Sequence, residues 1–140
     1  MRVGVLALQG GFREHIAMLE KLHVEGFEVR RRSDLDDGLD ALIIPGGEST
    51  VIGKLLVSTH LQKPIKTLID DGLPVFGTCA GMILLSSERE TDESVRFSAI
   101  PITVQRNAYG RQLSSFATRA FCKGIGEIPM TFIRAPIISQ

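Results

Sequence analysis

The stretch "VFGTCAGMILL", residues 75–85, sets a cysteine between an apolar run that enters and an apolar run that leaves, with Gly77 and Gly81 two positions to either side. The first run reads as a strand covered on both faces, and Ala80 to about Glu88 reads as a helix. Cys79 then stands on a sharp strand-to-helix turn. Such a turn forces its central residue into a strained backbone conformation and leaves no space for a Cβ at the flanking positions, where glycine is found. G-x-C-x-G is the cysteine counterpart of the G-x-S-x-G nucleophile elbow. A thiol placed there faces the positive end of a helix dipole, which favours the thiolate, and the next amide, that of Ala80, can stabilise an oxyanion. The ordinary use of a free cysteine is packing. Cys122 has no such turn around it and reads as inert.

The rest of the chain repeats the strand-then-helix grammar. "VGVLAL" (Val3–Leu8) is a buried strand broken by Gly10-Gly11, and "FREHIAMLEKLH" puts Phe12, Ile16, Leu19 and Leu22 at helical spacing. Gly26 is expected to end that helix, with "FEVRRR" as an edge strand and "SDLDDG" as a turn. "ALIIPGG" is a second buried strand. Ser49-Thr50 is expected to cap the helix that follows, and "LQKPIKTLIDDG" carries another helix closed by Gly72. Strands alternating with helices predict an α/β fold, an open and mostly parallel sheet with helices on both faces. Beyond Glu90, "FSAIPITVQ", "SSFATRAF" and "MTFIRAPII" read as short strands expected to extend or decorate that sheet, with turns at "RNAYG" and "KGIGEIP".

Composition narrows the functional classes. A chain of 140 residues is most simply one domain, and the 44% hydrophobic fraction argues against disorder. Sixteen basic residues balance sixteen acidic ones, so no net field draws the chain to nucleic acid or to a membrane surface. Arg30-Arg31-Arg32 reads as a solvated strand end. No apolar stretch approaches the roughly 20 residues that cross a bilayer, and two cysteines in unrelated contexts give neither a disulfide framework nor a metal site. These features lead us to expect a cytoplasmic protein.

In an open parallel sheet, ligands gather beyond the carboxyl ends of the strands. "LQGG", "PGGEST" and "GTCAG" all fall there, and that shared position matters more than any one of them. Gly46 and Gly47 let backbone approach a ligand closely and could supply the second half of an oxyanion hole, although alone they are a glycine turn before a helix. A phosphate loop of the Walker type would need a lysine that is absent from this place. His15, on a helix flank, and His23 and His60, near helix ends, read as structural or solvated. Arg106 and Arg134 close or follow late strands, where a guanidinium could hold a carboxylate.

Taken together, "LALQGGFREH", "IIPGGEST", "FGTCAGMILL", "TVQRNAYGRQ" and "FIRAP" resemble the class I (triad) glutamine amidotransferases, specifically the glutaminase subunits of pyridoxal 5′-phosphate synthases. The resemblance runs in order from residue 2 to about 136. It implies a flavodoxin-like fold and a reaction in which Cys79 attacks the side-chain amide of L-glutamine to give a glutamyl thioester. By the same resemblance Gly47, Glu48 and Ser49 line the glutamine site, Gly47 and Ala80 serve the oxyanion, and Arg106, Ile133 and Arg134 complete the pocket. Ammonia would pass to a synthase subunit in a hetero-oligomer, docked in part on "QGGFREH", with no cofactor in the glutaminase itself. The family completes its triad with a His and a Glu from a later segment. No histidine follows Cys79 here, so the resemblance implies that the C-terminal part is missing. The alternative is a catalytically dead subunit that only binds the synthase.

Overall fold

In a computed structural model of the chain, the described residues are 1–36, 38–89, 95–105, 116–132 and 136–138. Four strands, β1 (Arg2–Leu6), β2 (Glu25–Val29), β3 (Ala41–Ile44) and β4 (Val75–Gly77), form one sheet in the order β2-β1-β3-β4 with every pairing parallel. Alternation along these strands divides the core in two. Val3, Val5, Ala41 and Ile43 face helix α1 (Phe12–Lys21) through Phe12, Ile16 and Leu19. Leu6, Leu42 and Ile44 face the opposite way, onto Ile52 and Leu56 of α3 (Ser49–Ser58), Ile65 of α4 (Gln62–Asp70) and Leu84 of α5 (Ala80–Leu85). Continuous apolar strands with helices on both faces are what a parallel sheet demands.

Several local expectations need correction. Gly26 lies inside β2 and does not stop α1; its missing side chain makes room for Leu19, whose Cδ1 would lie 2.8 Å from a Cβ there. The helix ends instead at His23, which takes a positive φ of 55° while the amides of His23 and Val24 bond back to the carbonyls of Glu20 and Leu19. His60 closes α3 in the same way with φ 57°, and Gly72 closes α4 with φ 95°. These are Schellman ends, two of them built on histidine where glycine is usual. The cap of α3 is Glu48, whose carboxylate accepts from the Thr50 amide, so Ser49 and Thr50 are the first helical residues. Ser33–Asp36, expected as a turn, forms a short helix α2. Arg30 is more than solvated: its Nη1 donates to the Ala7 carbonyl at 2.6 Å, and its guanidinium lies 4.9 Å from the Phe12 ring centre.

The later strands stand apart from the main sheet. Helix α5 stops at Leu85, short of Glu88, and the chain continues as β5 (Ser86–Arg89). β5 pairs in parallel with β6 (Ile100–Gln105), which pairs antiparallel with β9 (Ile137–Ile138). β7 (Phe116–Cys122) and β8 (Gly126–Phe132) make a separate antiparallel ribbon whose turn is narrower than expected, with Gly126 already in the strand. What joins the β5-β6-β9 sheet to the core is the segment around Phe97. Its side chain is fully buried in the α3–α5 core, and the amides of Phe97 and Ala99 bond to the carbonyls of Leu84 and Leu85.

Packing predicts different consequences for a buried and an exposed apolar side chain. Leu84→Ala should lower the free energy of unfolding by about 2–5 kcal/mol, since a fully buried leucine leaves a cavity. Phe121→Ala, at a side chain 78% exposed, should change it by less than about 0.5 kcal/mol. Urea titration followed by circular dichroism measures both, and equal losses would contradict the assignment of the core.

Candidate active site

The three glycine segments meet at the carboxyl ends of β1, β3 and β4, backbone against backbone. β1 and β3 are neighbours, but the helices that follow them lie on opposite faces of the sheet, which opens a crevice between their ends. Gly10 has φ 101°, and a Cβ on it would stand 2.0 Å from the Gly46 carbonyl oxygen. That same oxygen accepts the Gly11 amide at 3.0 Å. Gln9 reaches across as well: its Oε1 accepts the Glu48 amide at 2.9 Å, and a Cβ on Gly47 would meet it at 2.5 Å. The first and second loops therefore interlock where only glycine fits.

The third segment is anchored to β3. A Cβ on Gly81 would lie 2.0 Å from the Ile44 carbonyl oxygen, and one on Gly77 would lie 2.7 Å from the carbonyl carbon of Gly81. The Thr78 amide donates to Ile44 at 3.1 Å, and the Gly81 amide donates to Thr78 at 2.8 Å. Between these fixed points Cys79 adopts φ 47° and ψ −101°, a conformation that costs a non-glycine residue on the order of 1–3 kcal/mol. It is exposed. The turn expected from "GTCAG" is present, and the strain is borne by the residue whose side chain it presents.

Around the thiol, a Cβ on Gly46 would lie 3.4 Å from the Cβ of Cys79, so the second loop borders Cys79 directly. Ala80 is the first residue of α5, where the helical ladder offers its amide no acceptor, and its side chain is buried. Gly47 and Glu48 are exposed. Ser49 is 3% exposed, and its hydroxyl finds no hydrogen-bond partner among the described residues. Cys79, Ala80, Gly47, Glu48 and Ser49 thus lie in two adjoining segments. Arg106, Ile133 and Arg134 lie outside the described residues.

One residue read as structural or solvated sits closer to the site than expected. His15 Nε2 is 3.2 Å from the Thr78 hydroxyl, and its ring meets Phe76 edge-on at 6.4 Å and 86°. Burial holds the imidazole below its ordinary pKa of 6.5, partly opposed by Glu14 next to it. The signal was available in the spacing, because residues 12, 15, 16 and 19 share one face of α1 and that face is the buried one. His23 and His60 are exposed helix ends, away from any such role. Among the described residues no cluster of His, Cys, Asp and Glu has a geometry that would hold a metal ion, and no helix is long and apolar enough to cross a membrane.

Comparison with known proteins agrees with this geometry. A protein from Haemophilus influenzae (strain PittEE), pyridoxal 5′-phosphate synthase subunit PdxT, is 56% identical over all of this chain and 74% of its own length. The protein of the same name from Streptococcus pneumoniae (strain ATCC 700669) is 53% identical over the same shares. A crystal structure described as a glutamine amidotransferase superposes with a TM-score of 0.91 at 44% identity, covering 99% of this chain and 74% of that one. A putative GMP synthase component from Thermoplasma acidophilum shares the fold at a TM-score of 0.60 and 18% identity, over 99% of this chain and 67% of its own. The family model of the SNO glutamine amidotransferases matches residues 5–140, and the chain belongs to that family.

Proposed function

We propose that the chain is a glutaminase that releases ammonia from L-glutamine through Cys79. The observation that carries this reading is the exposed thiol held at φ 47° and ψ −101° against the Gly46-Gly47 loop. Sγ adds to the side-chain carbonyl carbon of glutamine, and the carbonyl electron pair moves to oxygen. When that pair returns, the C–N bond breaks, the nitrogen departs with the thiol's proton as ammonia, and a glutamyl thioester remains. Water then adds to the thioester, the C–S bond breaks, and glutamate leaves.

The oxyanion is the charge that the site must hold. Ala80 offers an amide at the helix start, and Gly47 offers the second. A trans peptide points its C=O and N–H in opposite directions. With the Gly46 carbonyl committed to Gly11, the Gly47 amide is directed away from the first loop. Glu48 and Ser49 extend the same wall for the amino-acid part of glutamine, and we assign Arg106, Ile133 and Arg134, which lie outside the described residues, to binding the same substrate, Arg106 through its charged end. The relatives named PdxT are synthase subunits, and we assign this chain the same kind of partner: a pyridoxal 5′-phosphate synthase subunit that consumes the ammonia. A partner docked on residues 9–15 would touch Gln9 and His15, which both reach the site loops. We place the 140 residues within a single amidotransferase domain working in the cytoplasm, without nucleic acid or membrane as partner.

Glutamate release from glutamine, measured with and without the synthase subunit present, tests the assignment. Release should depend on the partner and fall at least about 10³-fold in Cys79→Ala, the scale of losing a covalent nucleophile. Activity that survives this substitution would overturn the role of Cys79. Gly10→Ala, remote from the thiol, should cost about tenfold or more in kcat by displacing the Gly46 carbonyl. An unchanged kcat would show that the two loops are not interlocked in the active enzyme.

A further inference from the structure

We propose that His15 is a positioning residue for Cys79, holding the elbow through the Thr78 hydroxyl from the α1 side of the sheet. The proposal rests on the reading of Cys79 as the nucleophile. Thr78 immediately precedes the strained residue, so its own placement decides whether Cys79 can stay at φ 47°. Its backbone is tied on both sides, the amide to Ile44 and the carbonyl to Gly81. Those ties come from Ile44 and from α5, whose side chains pack in the α3–α5 half of the core. A peptide held from one side can still rock about that attachment. The third tie comes from the opposite half, where His15 Nε2 and Thr78 Oγ1 lie 3.2 Å apart.

The imidazole itself is well fixed. It stands on the buried face of α1, on the helix whose Phe12, Ile16 and Leu19 pack against Val3, Val5 and Ile43. Its edge rests on Phe76, two residues before Thr78 and on the same side of β4. The hydroxyl it holds also faces the second loop, since a Cβ on Gly46 would stand 3.8 Å from Thr78 Oγ1 and 3.6 Å from the Thr78 carbonyl. A shift of Thr78 would therefore be felt both by the thiol and by the loop that borders it. Burial disfavours the charged form of the ring, and loss of a single hydrogen bond to it is modest for the fold but direct for the elbow.

The test is the alkylation rate of Cys79 by iodoacetamide in a Cys122→Ser background, in the chain as it stands. His15→Leu and Thr78→Val remove the bond with little change in volume and should each slow alkylation about five- to tenfold, while the double variant should be no slower than either single. His15→Gln and Thr78→Ser keep a polar partner and should stay within about twofold of the parent. A merely structural role predicts no rescue by these conservative variants and additive losses. Parent-like rates in both His15→Leu and Thr78→Val would overturn the positioning role alone. If Cys79 in the unmodified chain reacts no faster than Cys122, the nucleophile assignment fails first. Should His15→Leu melt far below the parent, the Val and Ser pair at Thr78 decides the matter without it.

Discussion

The contact between the Ile44 carbonyl and the Cα of Gly81 is the constraint from which the site is built. At 2.0 Å from where a Cβ would be, that oxygen admits no side chain at position 81, and it also receives the Thr78 amide. One strand end thereby fixes both flanks of the turn that carries Cys79. Two residues further on, the Gly46 carbonyl fixes the first loop through Gly11. Three segments distant in sequence are brought to one place by the Ile44 carbonyl at the end of β3 and the Gly46 carbonyl just beyond it. Backbone groups are stiffer than side chains, so the arrangement has little slack.

The sheet explains why this strand end is β3. Its neighbour β1 sends its helix to one face, and β3 sends its own to the other. The loops that leave the two strand ends turn to opposite faces and touch through Gly10, Gly11, Gly46 and Gly47. The alternation of Val3 and Val5 against Leu6, and of Ile43 against Ile44, divides the two halves of the core. The Ile44 end meets α5, and the Ile43 side meets α1. The bond from His15 to Thr78 is where those halves touch the same residue.

Much of this was legible in the residues. Continuous apolar runs gave the parallel strands, and the glycines of "GTCAG", "PGG" and "QGG" marked where backbone would meet backbone. The misreadings have physical causes. Gly26 resembled a helix stop, yet its glycine serves close packing under Leu19, and the left-handed end fell to His23. Ser49-Thr50 resembled a cap because short polar side chains usually are; Glu48 was one residue earlier, and its carboxylate reaches the Thr50 amide. The later strands carry the alternation of sheets but nothing in their pattern says which sheet they join. For the β5-β6-β9 sheet it is Phe97 that decides, a buried anchor packed in the cluster that α3 to α5 share. The pairing of His15 with Thr78 spans 63 residues, and only the face on which His15 sits hinted at it.

Cys79 also carries an evolutionary cost. A glycine at that position would adopt φ 47° without penalty, so the polypeptide would be more robust without the thiol on which the proposed reaction rests. Drift toward greater thermal tolerance therefore runs through loss of the thiol, and only selection for turnover opposes it. A laboratory screen of this chain for heat resistance alone would enrich clones that have lost the thiol at codon 79.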